Sequence, residues 1–435
     1  MSTEENEITP IGKVDWRNTK TPFGIRNKDK LGHIYVIGKT GVGKSTLLQN
    51  MAISDIQKGK GLALLDPHGD IAEDILNYIP NERLEQVIYF NPSDIEHPIG
   101  FNPLFNVSED FHHLVASGII STFKKIWSES WGPRMEHILR FCLLTLLQYP
   151  SATLLHIQSL LTNREFRFHV LSSIKTTFIL EFWHNEFEKF SPSLKAEAVS
   201  PILNKVGLFQ TSNPLRSVVG QSESTLDISE LMEKGYILIA NLSKGQLGEE
   251  VSSMLGSMIV TSIQLSALSR STKPEIARKP FYLYVDEVHS FVSLSFADIL
   301  AEARKYALGL FMAHQYIDQL PEKIRLAIFG NVGTIISFRI GAEDAKYLAQ
   351  EFFPEFDESD LIHLPRYSMY LKLMIDGTTS KPFSAVSNSL NTKRTNLKDE
   401  VIKSSRNNFS VKQKTSSIEV FYSKNTDTQQ DLFSI

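Results

Sequence analysis

Short apolar runs of strand length punctuate the first quarter of the chain: HIYVI at 33–37, GLALL at 61–65 and QVIYF at 86–90. Between them the apolar residues recur at helical spacing. Buried strands alternating with helices make a mostly parallel sheet, so the pattern predicts an α/β fold. From about residue 106 to 215 the texture changes to long amphipathic stretches such as FHHLVASGIISTFKKIW and MEHILRFCLLTLLQY. That region reads as an all-helical insertion. Strand-length runs then return at 236–242, 281–287, 308–315, 334–340 and 369–375, with helical segments at 249–268, 293–306, 317–328 and 342–351. The sheet begun in residues 1–105 is therefore expected to resume over 216–390, with 106–215 inserted and 391–435 as a tail.

At 435 residues the chain exceeds what one hydrophobic core usually supports, which agrees with two structural units. A net charge of -4 excludes a surface coated with basic residues, so any nucleic-acid contact must be local. The single cysteine, Cys142, excludes an internal disulfide. The start MSTEENEITP lacks the basic and apolar regions of a secretory signal. ILRFCLLTLL (138–147) carries Arg140 and is shorter than the roughly 20 residues of a membrane span. A cytoplasmic protein without direct membrane insertion is expected. In 391–424 Lys393, Arg394, Lys398, Lys403, Arg406, Lys412, Lys414 and Lys424 face only Asp399, Glu400 and Glu419, a basic arm whose composition predicts a solvated, disordered tail.

Directly after IYVI comes GKTGVGKST, and a helical segment follows it. Strand, glycine-rich loop and helix in this order form a phosphate-binding loop, in which backbone N–H groups and the helix N-terminus converge on phosphate oxygens. Gly38, Lys39, Thr40, Gly41, Val42, Gly43, Lys44, Ser45 and Thr46 are thus the expected binding residues for ATP. Lys44 should reach the β- and γ-phosphates and Ser45 should ligate Mg²⁺. A dinucleotide fingerprint fails, because Thr46 stands where the third glycine belongs.

FYLYVDEVHSF supplies the carboxylates that such a site needs, at a strand tip. Asp286 would hold the metal and Glu287 would act as general base toward water; a cap for the following helix is the alternative reading. Gln315, at the tip of another strand-like run, suits a γ-phosphate sensor or an ordinary loop amide. In LLDPHGD, Asp66, His68 and Asp70 have metal-ligand spacing, but Pro, Gly and Asp together also build a turn and helix cap. Arg304 sits late on a helix, where a surface ion pair would equally explain it.

Seven blocks in order carry a family resemblance: GKTGVGKST, LLDPHGD, GFNPL (100–104), ILIANLSKGQLGEEVSSMLGSMIV (237–260), FYLYVDEVHSF, ILAEARKYALGLFMAHQYIDQL (299–320) and GNVGTIISFRIGAEDAKYLAQEF (330–352). Together, over roughly residues 30–376, they resemble the HerA/FtsK superfamily of hexameric P-loop ATPases, most closely the TraD/TraG-type coupling ATPases of type IV secretion. The resemblance implies a RecA-like core with an inserted helical domain, and a ring with ATP between subunits. It implies that Gln315 is the sensor and that Arg304 reaches the neighbouring subunit's nucleotide, with Arg339 as a second candidate. Coupling proteins begin with membrane-spanning helices, whereas here only 37 residues precede the loop, without a spanning segment. The likeness is therefore to members without an anchor, or to a motor that relies on a partner for membrane docking. The activity implied is an ATP-driven hexameric motor that translocates DNA. The alternatives are a nucleotide-dependent docking module for a relaxase, nuclease or secreted protein, and a defence or repair ATPase paired with a separate nuclease.

Overall fold

The computed structural model describes residues 6–15, 19–390 and 392–411. Its strands are β1 (Ile8–Val14), β2 (Pro22–Arg26), β3 (Ile34–Ile37), β4 (Gly61–Asp66), β5 (Val87–Phe90), β6 (Ile237–Asn241), β7 (Phe281–Val285), β8 (Leu308–His314), β9 (Thr334–Ser337), β10 (Ser368–Lys372), β11 (Met374–Ile375), β12 (Thr378–Thr379) and β13 (Phe383–Ser387). All except the small β11–β12 hairpin form one sheet, ordered β2-β1-β13-β10-β9-β3-β8-β7-β4-β6-β5. From β9 to β5 neighbouring strands are parallel. The strands β3, β4, β6, β7, β8 and β9 are buried along their whole length. Helices on both faces of a parallel sheet require this, and it explains why these strands read as unbroken apolar runs.

Beyond β9 the pattern changes. The run expected at 369–375 is β10, and it pairs antiparallel with β9 and with β13. β1 and β2 extend this antiparallel edge. β10 alternates buried and half-buried positions, as a strand with one covered face does.

The interposition of β8 between β3 and β7 positions the site. Ile37 pairs with His314, and Val285 pairs with Met312, so these three strands end side by side. The helix Lys44–Gln57 leaves this edge and buries Leu47, Leu48, Met51, Ile53 and Ile56. A buried polar cluster anchors it. Asp55, without solvent exposure, accepts from Lys30 Nζ and from the hydroxyls of Thr9 (2.9 Å) and Tyr284 (2.8 Å). Burial pushes the Lys30 ammonium below its ordinary pKa, and the Asp55 charge opposes that shift. Removing Lys30 or Asp55 alone would strand a buried charge at a cost of about 3–5 kcal/mol.

The chain divides into two compact units, one of residues up to Phe90 with Ile228–Asn408, the other built on Asn91–Asp227. The second unit contains the helices His112–Ile126, Pro133–Gln148, His156–Thr162, Arg164–Leu171, Pro192–Val206 and Asn213–Val219. Its core includes Phe123, Phe187, Phe209 and Trp183, whose indole N–H donates to Thr145 Oγ1 at 2.9 Å. Cys142 is buried there too, and burial pushes its thiol far above the usual range. The unit is wider than the helical periodicity of 106–215. Its ends are irregular loops held by backbone bonds from Thr225 and Leu226 to the Gly100 carbonyl, a link that periodicity does not reveal.

Two expectations need correction. The tail predicted to be disordered from 391 contains a helix, Lys398–Phe409, with Val401 fully buried and the Ser405 hydroxyl accepting from the Tyr89 N–H at 2.8 Å. Two of its basic residues make ion pairs, Arg394 with Asp74 and Lys398 with Glu73. Lys412, Lys414 and Lys424 lie outside the described residues. The second correction concerns apolar length. Among the described residues, the helix Glu249–Ser269, not 138–147, is the segment long and apolar enough to cross a membrane by composition. Most of its apolar stretch is buried within the protein, and a core helix covered on nearly all sides has the same composition as a span.

Candidate nucleotide-binding and hydrolysis site

The loop between β3 and the helix Lys44–Gln57 curls tightly because its glycines permit it. A Cβ on Gly38 would stand 2.7 Å from Phe338 Cβ, and Gly43 has φ +123°, a value that favours glycine. The curl is tied to its neighbours at both sides. The Gly38 N–H donates to the His314 carbonyl at 3.3 Å, and the Lys39 N–H donates to the Arg339 carbonyl at 2.9 Å. Inside the curl, Lys44 Nζ donates to the carbonyls of Gly38 (2.6 Å) and Lys39 (3.1 Å).

The carboxylate pair lies directly opposite. Ser45 Oγ donates to Asp286 Oδ2 at 3.0 Å, although 241 positions separate the two residues. Asp286 and Glu287 are both buried, and Glu287 takes a left-handed backbone conformation (φ 47°, ψ 59°) at the end of β7. Burial raises the Asp286 carboxyl to about 6, helped by the charges of Glu287 and Asp66 and opposed by the Ser45 hydroxyl and Lys44. Burial also lowers the Lys44 ammonium below its ordinary value, against the pull of Glu287 and Asp286.

Gln315 joins the two halves. Its Oε1 accepts from Thr40 Oγ1 at 2.9 Å, and its Nε2 donates to Glu287 Oε1. The other oxygen of Glu287, Oε2, is buried without a hydrogen bond and has His289 Nδ1 at 3.5 Å. A hydroxyl bonded to one buried carboxylate, next in sequence to a second buried carboxylate with an unsatisfied oxygen, supplies hard oxygen donors of the kind that Mg²⁺ takes.

Asp66, His68 and Asp70 resolve differently. Asp66 accepts the N–H groups of His68, Ile71 and Ala72 at 2.9–3.0 Å, so it closes the turn and caps the helix Asp70–Ile75. Arg304 is not in the constellation. It is exposed in the short helix Ala303–Tyr306, which precedes β8, whereas Gln315 follows β8. The seven residues of β8 put roughly 20 Å between the two ends. Arg339 is also exposed, and it stands beside the phosphate loop of its own chain.

Sequence reasoning missed three neighbours of the site. His289 flanks Glu287, and His314 lies fully buried with Nδ1 3.0 Å from the Tyr35 hydroxyl. Burial lowers the His314 imidazole to about 3, so it is neutral near pH 7. The third is Tyr367, whose N–H donates to the Val42 carbonyl at 2.9 Å and whose ring lies against Gly43. HLPRYS carries no motif, so only the fold could reveal that contact.

The family model described as "Helicase HerA, central domain" matches residues 9–263. No curated protein matches by sequence. Among solved structures, the plasmid coupling protein TrwB in complex with the ATP analogue ADPNP is 14% identical, with a TM-score of 0.62 and 91% of each chain covered. TrwB in complex with ADP and Mg²⁺ is 15% identical with a TM-score of 0.61, covering 88% of this chain and 91% of its own. VirB4 of Thermoanaerobacter pseudethanolicus is 13% identical with a TM-score of 0.59, covering 89% of this chain and 98% of its own. At these identities the likeness establishes the fold, a RecA-like P-loop NTPase core with a mostly parallel sheet.

Proposed function

Because this chain belongs to the family of the HerA helicase central domain, we propose that it is an ATPase that binds Mg-ATP and uses its hydrolysis to move DNA through a homo-hexameric ring. The observation that carries this reading is the Ser45–Asp286 contact, which brings the phosphate loop and the carboxylate pair to a single point. TrwB, which shares the fold, is described as a plasmid coupling protein and has been seen with ADP and Mg²⁺.

In this reading the N–H groups of the loop from Gly38 to Thr46 enclose the phosphates, and Lys44 Nζ exchanges the carbonyls of Gly38 and Lys39 for β- and γ-phosphate oxygens. Ser45 and Asp286 would hold Mg²⁺, which neutralises charge on those oxygens. Glu287 accepts a proton from the attacking water as the water oxygen bonds to the γ-phosphorus and the bond to the β–γ bridging oxygen breaks. ADP and phosphate result. Gln315 orients Glu287 and reports the γ-phosphate to the loop through Thr40. Arg304 lies too far from its own Lys44 to assist there, which fits a role at the neighbouring subunit's phosphates. With a net charge of -4, DNA would be gripped by a few local groups lining the ring.

The test is steady-state ATP hydrolysis by the purified chain with and without DNA, with its mass measured by light scattering. Hydrolysis that DNA accelerates severalfold, in a particle of about six chains, and that Lys44→Ala abolishes, is expected. A rate indifferent to DNA would instead favour the docking module.

A further inference from the structure

The helix Lys44–Gln57 is buried over most of its surface but carries a polar stripe. Thr46, Asn50, Ser54 and Gln57 recur at spacings of four, four and three, and so share one face. The stripe begins at Thr46, the last residue of the phosphate loop, where the α-phosphate side of a bound nucleotide would emerge. It runs directly into a cavity of about 580 Å³ whose walls include Asn50, Ser54, Ser387, Asn388, Lys13 and Lys20. That volume is in the range of small-ligand sites. Pro10 and Lys13 of β1 and Val386 and Ser387 at the end of β13 flank this face, and the cavity they form with it is half open to solvent.

Tyr367 joins the cavity to the phosphate loop. Its N–H is held by the Val42 carbonyl, and its carbonyl accepts from the Ser387 N–H at 2.9 Å, so one residue is fastened to the loop and to the cavity wall. Its backbone is left-handed, with φ +67° in a non-glycine residue. The ring touches Gly43, yet it remains 38% exposed, and the Arg366 guanidinium lies 4.8 Å from its centroid. Asn50 Nδ2 donates to the Asn388 carbonyl at 2.9 Å, which aims an amide with donor and acceptor capacity at the cavity. From Gly43 to Asn50 the helix rises about 10 Å, a span that a nucleoside attached to the loop-held phosphates can bridge.

We propose that Tyr367, together with the cavity beside Asn50 and Asn388, is the subsite for the nucleoside end of the nucleotide: the aromatic ring packs on the sugar or base, and the Asn50 amide reads a polar edge. This rests on the Mg-ATP reading above and adds the residues that distinguish a nucleotide from a bare polyphosphate.

Calorimetric titration of the full chain with Mg²⁺ and either ADP or inorganic tripolyphosphate tests it. Wild type binds ADP more tightly than tripolyphosphate. Tyr367→Ala and Asn50→Ala each weaken ADP by about tenfold, as loss of a stacked or hydrogen-bonded base does, and leave tripolyphosphate binding within about twofold, which also shows that the loop remains folded. Tyr367→Phe keeps wild-type ADP affinity. Both alanine variants binding ADP as wild type does would overturn the subsite, as would equal losses for the two ligands. Wild type binding tripolyphosphate as tightly as ADP would remove the subsite while leaving the phosphate site standing. Failure of wild type to bind either ligand would overturn the Mg-ATP reading itself, and the subsite with it.

Discussion

The side-chain amide of Gln315 donates to Oε1 of Glu287 while its oxygen accepts from the Thr40 hydroxyl, so one residue just past the end of the strand between them ties the phosphate loop to the carboxylate pair. Gln315→Ala cuts both links and leaves the loop glycines, Lys44 and Ser45 in place. The turnover of ATP should fall by about two orders of magnitude, the range of a lost positioning or electrostatic contribution. Nucleotide affinity should change less than about threefold. Paired measurements of steady-state rate and equilibrium binding check this, and an unchanged rate would contradict the linking role.

Asp286 is held in its site at a cost to stability. Its carboxyl is raised to about 6 from the usual range near 3.8, so the folded chain keeps a proton there that the unfolded chain loses. The associated stability is fully present below pH 3.8 and is lost as pH rises through 6. Without Mg²⁺, Asp286→Asn should therefore stabilise the fold at pH 7.5 by roughly 1–3 kcal/mol and give no gain near pH 4. Denaturant melts at the two pH values read this directly. In the same variant, protection by Mg²⁺ and nucleotide should disappear.

Gly256 lies in the helix Glu249–Ser269, and a Cβ at that position would stand 2.2 and 2.4 Å from Cδ1 and Cε1 of Phe291. Gly256→Ala gains up to about 1 kcal/mol in helix propensity. Overpacking against a buried ring costs about 1–3 kcal/mol and wins. A lower melting temperature is expected. Phe291 follows Glu287 by four residues, so the hydrolysis rate should drop as well; a variant melting at or above wild type would show that the ring can move aside.

Much of the fold is legible because full burial leaves a simple trace. IYVI, LALL, YLYV and LGLFMA are unbroken by charged residues, since helices cover both faces of their sheet. The edge strands are harder to read. β1 and β2 contain Pro10 and Pro22, and the mixed burial along β13 contains no apolar run. The helix Lys398–Phe409 reads as a solvated arm because its hold on the protein comes from Val401, the Lys398–Glu73 ion pair and one serine hydroxyl rather than an apolar face. At the site, Lys44 and Ser45 are legible from glycine spacing and Asp286 from its place at a strand tip, because local geometry dictates both. Tyr367 and His289 touch the site through the tertiary fold alone, and the role assigned to Arg304 came with a family resemblance.

The central claim is that each hydrolytic site is shared, with Lys44, Asp286 and Glu287 from one subunit and Arg304 from the next. Lys44→Ala subunits lack a working loop but retain Arg304, and Arg304→Ala subunits have the reverse defect. Neither variant should hydrolyse ATP alone, and Arg304→Ala should still bind it. Mixed in equal amounts with DNA, the two should recover a substantial fraction of wild-type hydrolysis, because some interfaces then join an intact loop to an intact arginine. A mixture as inactive as its components, or Arg304→Ala rings hydrolysing at the wild-type rate, would contradict the shared site.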